Sequence, residues 1–114
     1  MMQSTDLGLL AERAVAQKLK SDGHKILDQN WKLPVCEIDI ISQKANTVYF
    51  TEVKYRAKLA YGSGFEYVSK VKQRQMLFSA KIWLAHSRWD GDWRLQAAAV
   101  SGLGNESIEI IELE

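Results

Sequence analysis

Residues 35–56 hold two runs rich in β-branched and aromatic side chains, with polar residues 42–46 between them. The first run is Cys36-Glu37-Ile38-Asp39-Ile40-Ile41, and the second is Thr47-Val48-Tyr49-Phe50-Thr51-Glu52-Val53-Lys54-Tyr55. No other feature constrains the fold as much, because it specifies two adjacent strands joined by a hairpin loop. Side chains alternate along a strand. Glu52 and Lys54 therefore share a face with Val48 and Phe50, and Asp39 shares one with Glu37 and Ile41. A register that sets Asp39 across from Glu52 would bring two carboxylates and an ammonium onto one patch.

The flanking sequence supplies elements to cover that hairpin. Residues 5–22 predict an amphipathic helix, with Leu7, Leu10, Ala11, Ala14, Val15, Ala16 and Leu19 on one broad arc and Arg13, Gln17 and Lys20 opposite. Ser4, Thr5 or Asp6 can cap its start, and Gly23 suits its stop. Residues 24–31 predict a strand, after which Pro34 breaks regularity. Residues 56–64 predict a loop, and Tyr61-Gly62-Ser63-Gly64 has the turn chemistry of a segment able to close over a neighbouring ligand. The spacing of Gln73, Met76, Leu77, Ala80 and Leu84 predicts a second helix over 69–85. A turn around Asp90-Gly91 follows, then strands over 93–100 and 107–113. A helix between two strands has the length of a crossover, which predicts a parallel, right-handed connection. The expected fold is one α/β domain over 1–114, a mixed sheet flanked by helices in the order α-β-β-β-α-β plus a C-terminal edge strand.

Composition acts mainly through exclusion. With 46% hydrophobic and 25% charged residues the chain is an ordinary globular one, not a disordered one. A net charge of +1 means that any nucleic-acid surface must be a local patch. The single cysteine, Cys36, excludes an internal disulfide and fits a reducing compartment. The N-terminus lacks the regions of a secretory signal and no apolar run reaches membrane-spanning length, so the expected location is the cytoplasm, without a membrane partner.

Glu-x-Lys on a strand with an Asp upstream suits metal-dependent phosphodiester cleavage. A hard divalent cation such as Mg²⁺ or Mn²⁺ takes oxygen ligands and keeps several waters, so Asp39 and Glu52 suffice to hold it. Lys54 would then orient a water or stabilise developing charge. Glu12 falls inside the apolar arc, between Ala16 and Leu19 in projection, where it would hold a water or a second cation. Each assignment has a plainer alternative. Glu52 and Lys54 also suit an ordinary same-face pair, and Glu12 at the arc's edge can lean to solvent. Lys54, Arg56, Lys58, Lys70, Lys72 and Arg74 form either a phosphate-neutralising surface or a solvated rim. Trp31, Trp83, Trp89 and Trp93 either stack on bases or pack in the core. Nothing in the sequence joins Cys36 to His24 or His86, and Cys36 on a strand reads as a small buried residue. Zinc-ligand spacing and phosphate-cradling glycine motifs are absent.

Taken together, these residues resemble the YraN-like bacterial family, which is assigned to the restriction-endonuclease-like (PD-(D/E)xK nuclease) fold. The likeness covers about residues 8–100. It runs through Gly8, Glu12, Leu19 and Gly23, then Asn30-Trp31-Lys32. The family's Gly-Glu-Ile-Asp-Leu-Ile appears as Cys36-Glu37-Ile38-Asp39-Ile40-Ile41. Its Phe-Val-Glu-Val-Lys-x-Arg appears as Phe50-Thr51-Glu52-Val53-Lys54-Tyr55-Arg56, and Tyr61-Gly62, Val68 and Lys72-Gln73 continue the pattern. The resemblance implies a nuclease-like core with Glu12, Asp39, Glu52 and Lys54 at a Mg²⁺ or Mn²⁺ site. It also implies a nucleic-acid partner, DNA first, met by Lys32, Arg56, Lys58, Lys70, Lys72, Gln73 and Arg74. The fold is shared with restriction enzymes and Holliday-junction resolvases. Resolvase-like cleavage needs paired active sites and hence a homodimer, but a shared fold is not a shared substrate. Two positions depart from the family pattern. Cys36 replaces a glycine, and Gln96 follows Arg94-Leu95 where an Asp is common. The competing readings are a nucleic-acid-binding module without turnover and a protein-interaction module whose exposed tryptophans mark a partner surface.

Overall fold

The computed structural model describes residues 4–56, 68–102, 104 and 107–113. The elements are α1 (Ser4–Ser21), β1 (Lys25–Leu33), β2 (Cys36–Lys44), β3 (Thr47–Arg56), α2 (Lys70–Ser87), β4 (Asp92–Ser101) and β5 (Ser107–Leu113). Their order is the one the sequence predicts. They build one sheet in the order β1-β2-β3-β4-β5. All neighbours are antiparallel except β3 and β4, which run parallel on either side of the α2 crossover. Apart from Arg56, the loop expected over 56–64, with Lys58 and Tyr61-Gly62-Ser63-Gly64, lies outside the described residues.

Each helix covers one face of the sheet with the apolar stripe its sequence carries. Ala11, Val15, Ala16 and Leu19 of α1 pack with Ile40, Ala98 and Val100. Met76 and Ala80 of α2 pack with Ile41, Val48, Phe50 and Leu95 on the other face. Strand β4 is covered on both sides, which explains its unbroken buried run from Leu95 to Ser101 and its small Ala97, Ala98 and Ala99. Phe50 is fully buried and meets Trp83 and Trp93 edge-on, with ring centroids 5.6 and 6.3 Å away. Trp31 and Trp89 pack against the same cluster. All four tryptophans are half-buried, so none supplies the exposed surface that an interaction module was expected to use.

Helix ends follow the chemistry of their caps. At the end of α1, Gly23 takes φ +96, its N–H donates to the Lys20 carbonyl at 3.0 Å, and the His24 N–H donates to the Leu19 carbonyl at 2.9 Å. Helix α2 begins at Ser69, whose Oγ accepts the Lys72 N–H at 3.1 Å.

The hairpin differs from the expectation. Residues 42–46 are not a loop. Ser42, Gln43 and Lys44 pair with Tyr49, Val48 and Thr47, leaving Ala45 and Asn46 to make the turn. Polar side chains suggested a loop, yet Ser42 is buried with its Oγ 3.0 Å from His24 Nδ1. Ala45 takes φ +53, a conformation that usually selects Gly or Asn.

Candidate active site

Pairing between β2 and β3 runs from Lys44↔Thr47 to Ile40↔Thr51. One step further, the same register sets Asp39 opposite Glu52, as the hairpin pattern predicts. At that step a side chain takes part in the backbone ladder. The Val53 N–H donates to Asp39 Oδ2 at 2.8 Å, which clamps the carboxylate against β3. The Glu52 carboxyl lies beside it, near enough that each acid acts on the ionisation of the other. Glu52 projects from the same face as Phe50 towards α2, where Lys72 Nζ lies 3.2 Å from its Oε1.

Burial dominates the electrostatics. It pushes the Glu52 carboxyl up to about 7, the negative charge of Asp39 adds to the rise, and the Lys72 ammonium only partly opposes it. Burial also raises Asp39, offset in part by the Val53 N–H, the Lys72 charge and the Glu52 hydrogen bond. Glu12 on α1 is raised by burial and then by the charge of Asp39, with the Asn30 side chain pulling the other way and Glu37 adding to the rise. Its Oε2 is buried and has no hydrogen-bond partner among the described residues. The sequence left open whether Glu12 leans to solvent. It turns inward.

Asn30 adopts φ +52 inside β1, between the pairs Gln29↔Ile40 and Trp31↔Ile38, and therefore stands opposite Asp39. Asn tolerates this left-handed conformation better than other non-glycine residues, and it brings a polar amide to Glu12.

Lys54 lies two residues beyond Glu52 on the same face of β3 and is exposed, without an ion pair among the described residues. Lys72, assigned from sequence to the nucleic-acid rim, is the cation that meets the carboxylates. Spacing alone could not reveal this, since it does not say which turn of α2 faces β3. The only signal was the place of Lys72-Gln73 in the family pattern. Lys32, Arg56, Lys70 and Arg74 are exposed, and Gln73 donates through Nε2 to the Val68 carbonyl at 3.1 Å.

Among the described residues, no three His, Cys, Asp or Glu side chains stand together as a complete metal cage. What is present is an oxygen-donor pair with a third carboxylate nearby whose buried Oε2 lacks a partner. That donor set suits a hard cation that retains most of its water and needs only one or two carboxylates.

Neither departure from the family pattern disturbs this arrangement. Gln96 is buried opposite Thr51 and donates to its Oγ1 at 2.9 Å, on the α1 side of the sheet. Cys36 is half-buried and is not among the residues with positive φ, so its Cβ imposes no backbone strain.

Fold and site thus define a mixed α/β protein with a largely buried carboxyl pair and a lysine at one end of the β2–β3 ladder. The chain belongs to the uncharacterised protein family UPF0102, whose model matches residues 11–100, in line with the YraN-like resemblance. It is similar to UPF0102 proteins from Vibrio campbellii (34% identical, 93% of this chain and 89% of the relative) and Syntrophotalea carbinolica (38%, 92% and 86%). A UPF0102 protein of Clavibacter michiganensis is 32% identical over 97% of both chains. No helix among the described residues is long and apolar enough to cross a membrane.

Proposed function

We propose that this protein is a divalent-metal-dependent phosphodiester hydrolase acting on nucleic acid, with DNA the first candidate. One observation carries the reading: two neighbouring, largely buried acids are held in place, Asp39 by the Val53 N–H at 2.8 Å and Glu52 by Lys72 at 3.2 Å, and burial raises both. Two acids in that position are costly unless something of opposite charge belongs between them. Asp39 and Glu52 would hold Mg²⁺ or Mn²⁺, which when bound supplies phosphate polarisation and a more acidic water.

The protein's own residues do the positioning. The Val53 N–H aims Asp39, and Lys72 aims Glu52. The unpartnered Oε2 of Glu12 would accept a hydrogen bond from a water beside the pair. Lys54, exposed on the same face, meets the substrate phosphate or the charge that develops on it. The N-terminal turn of α2 carries Lys70 and Lys72 and no acidic residue, an arrangement that suits an anion. A free, half-buried Cys36 fits the reducing cytoplasm.

The second reading is a nucleic-acid-binding module without turnover. It is favoured by the absence of a complete three-ligand cage among the described residues. Cleavage of branched, nicked and linear DNAs, and of RNA, in Mg²⁺ and Mn²⁺ separates the two. The hydrolase reading expects metal-stimulated cleavage that Asp39→Asn lowers by roughly a hundredfold or more, and that Lys54→Ala abolishes with binding retained. Binding without cleavage across the panel selects the module.

A further inference from the structure

A groove of about 580 Å³ runs between the β1–β2 turn and α2, beside the carboxylate pair. Its volume lies within the range of sites that hold small ligands. Three large apolar side chains stand open along it: Val35 is 72% exposed, Val71 56% and Phe78 53%. Three cations, Lys32, Lys72 and Arg74, line it against one acid, Glu37.

The groove is continuous with the candidate site. Lys72 forms part of its wall and also holds Glu52 at 3.2 Å. Glu37 lines it too, and its charge acts on both Asp39 and Glu12. Whatever lies in the groove therefore leads directly to the carboxylates.

We infer that the groove takes a single-stranded segment of nucleic acid, with one unstacked base on Phe78 and the flanking phosphates on Lys32 and Arg74. The inference rests on the hydrolase reading above and names the form of its substrate. Single strands offer both things this surface matches, an open π-face for an aromatic ring and a flexible anionic backbone for scattered cations. A duplex keeps its bases stacked and presents mainly phosphates to such a wall, leaving Phe78 and Val35 with nothing to cover them.

Fluorescence anisotropy tests this with the full chain in EDTA, where nothing is cut, using labelled oligothymidylate, oligouridylate and a blunt duplex of equal length. Both single strands, or one of them, should bind at least about ten times more tightly than the duplex. The two oligomers distinguish DNA from RNA as the source of the strand. Phe78→Ala should weaken single-strand binding by about tenfold and Phe78→Trp should retain it. Arg74→Ala should lower its salt dependence. Equal affinity for the duplex, or indifference to Phe78→Ala, overturns the inference. Parallel cleavage assays on the unaltered protein keep the two claims apart. Phe78-dependent strand binding without cleavage sinks only the hydrolase reading, and metal-dependent cleavage indifferent to Phe78 sinks only the groove.

Discussion

Glu52→Gln is the substitution whose effect on stability follows most directly from the site. The Glu52 carboxyl rises from 4.5 to about 7 in the folded protein. Between those two values the folded state holds a proton that the unfolded state has released, so stability falls as pH rises through that window. At about 1.4 kcal/mol per decade, the full cost at pH 8 is about 3 kcal/mol. The conversion is reasonable here because the side chain is only 19% exposed. Glutamine removes the buried charge and its repulsion with Asp39, although Lys72 loses its partner. The expected gain is therefore about 2 kcal/mol at pH 8, or roughly 8 °C in Tm for a domain of this size, shrinking to about 0.5 kcal/mol or less at pH 4.5. His24 acts in the opposite sense. Burial and Lys44 lower its pKa, so its own contribution improves as pH rises towards 6.5, but it cancels in the difference between variant and parent. Urea and thermal unfolding in EDTA at both pH values measure the effect. An equal difference at the two pH values, or a less stable variant at pH 8, would refute the reasoning. Adding Mn²⁺ at pH 8 should stabilise the parent by mass action and leave the variant nearly unmoved.

Four further substitutions test the fold. Gly91→Ala puts a Cβ 2.7 Å from Asn46 Oδ1 and 2.8 Å from the Asn46 carbonyl, which also accepts the Asp92 N–H where β4 begins. It should cost about 1–3 kcal/mol in urea denaturation, whereas Gly8→Ala, with nothing within 4 Å, should be neutral or gain up to about 1 kcal/mol. Ala45→Gly relieves φ +53 in the hairpin turn and should raise stability by about 1 kcal/mol, read as a shift of denaturant midpoint at constant slope. Ser69→Ala removes the acceptor for the Lys72 N–H and should cost about 1 kcal/mol, with hydrogen exchange faster in the first turn of α2 and unchanged in β4.

Most of the architecture was legible because apolar periodicity and local stop signals agree along this chain. Gly23 ends α1, Ser69 starts α2, and the buried runs of β3 and β4 leave little choice of register. Where the sequence misled, polarity was the reason. Ser42 and Gln43 look like loop residues because their chemistry is polar, but a residue's place in a ladder depends on what faces it, and Tyr49 and Val48 face these two. The acidic residues of the candidate site were legible from strand alternation and the family pattern. Lys72 was not singled out, because its role depends on how α2 docks against β3, a long-range property that spacing within the helix does not carry.

The register supplies an argument for the site that does not rely on the family. Continuing the strand registers by one step places Asn30, Asp39 and Glu52 in one row across β1, β2 and β3, and Glu52 pairs with the small Ala97 on β4. In the row through Ile41, Phe50 and Leu95, the β2, β3 and β4 residues are apolar, buried and side by side. In the Asn30 row, the sheet breaks several rules at once. Asn30 has a left-handed backbone within a strand, Asp39 takes up a ladder N–H, and Glu52 opposes Asp39 as a like charge. Glu12 beside them buries an oxygen without a partner. The other non-glycine residues with positive φ among the described residues, Ala45 and Arg88, sit in a hairpin turn and at a helix end, where such conformations are routine. Departures that gather on one row are where a functional site is to be sought. A fold under pressure for stability alone would have placed apolar side chains there, as it did two residues along in Ile41, Phe50 and Leu95.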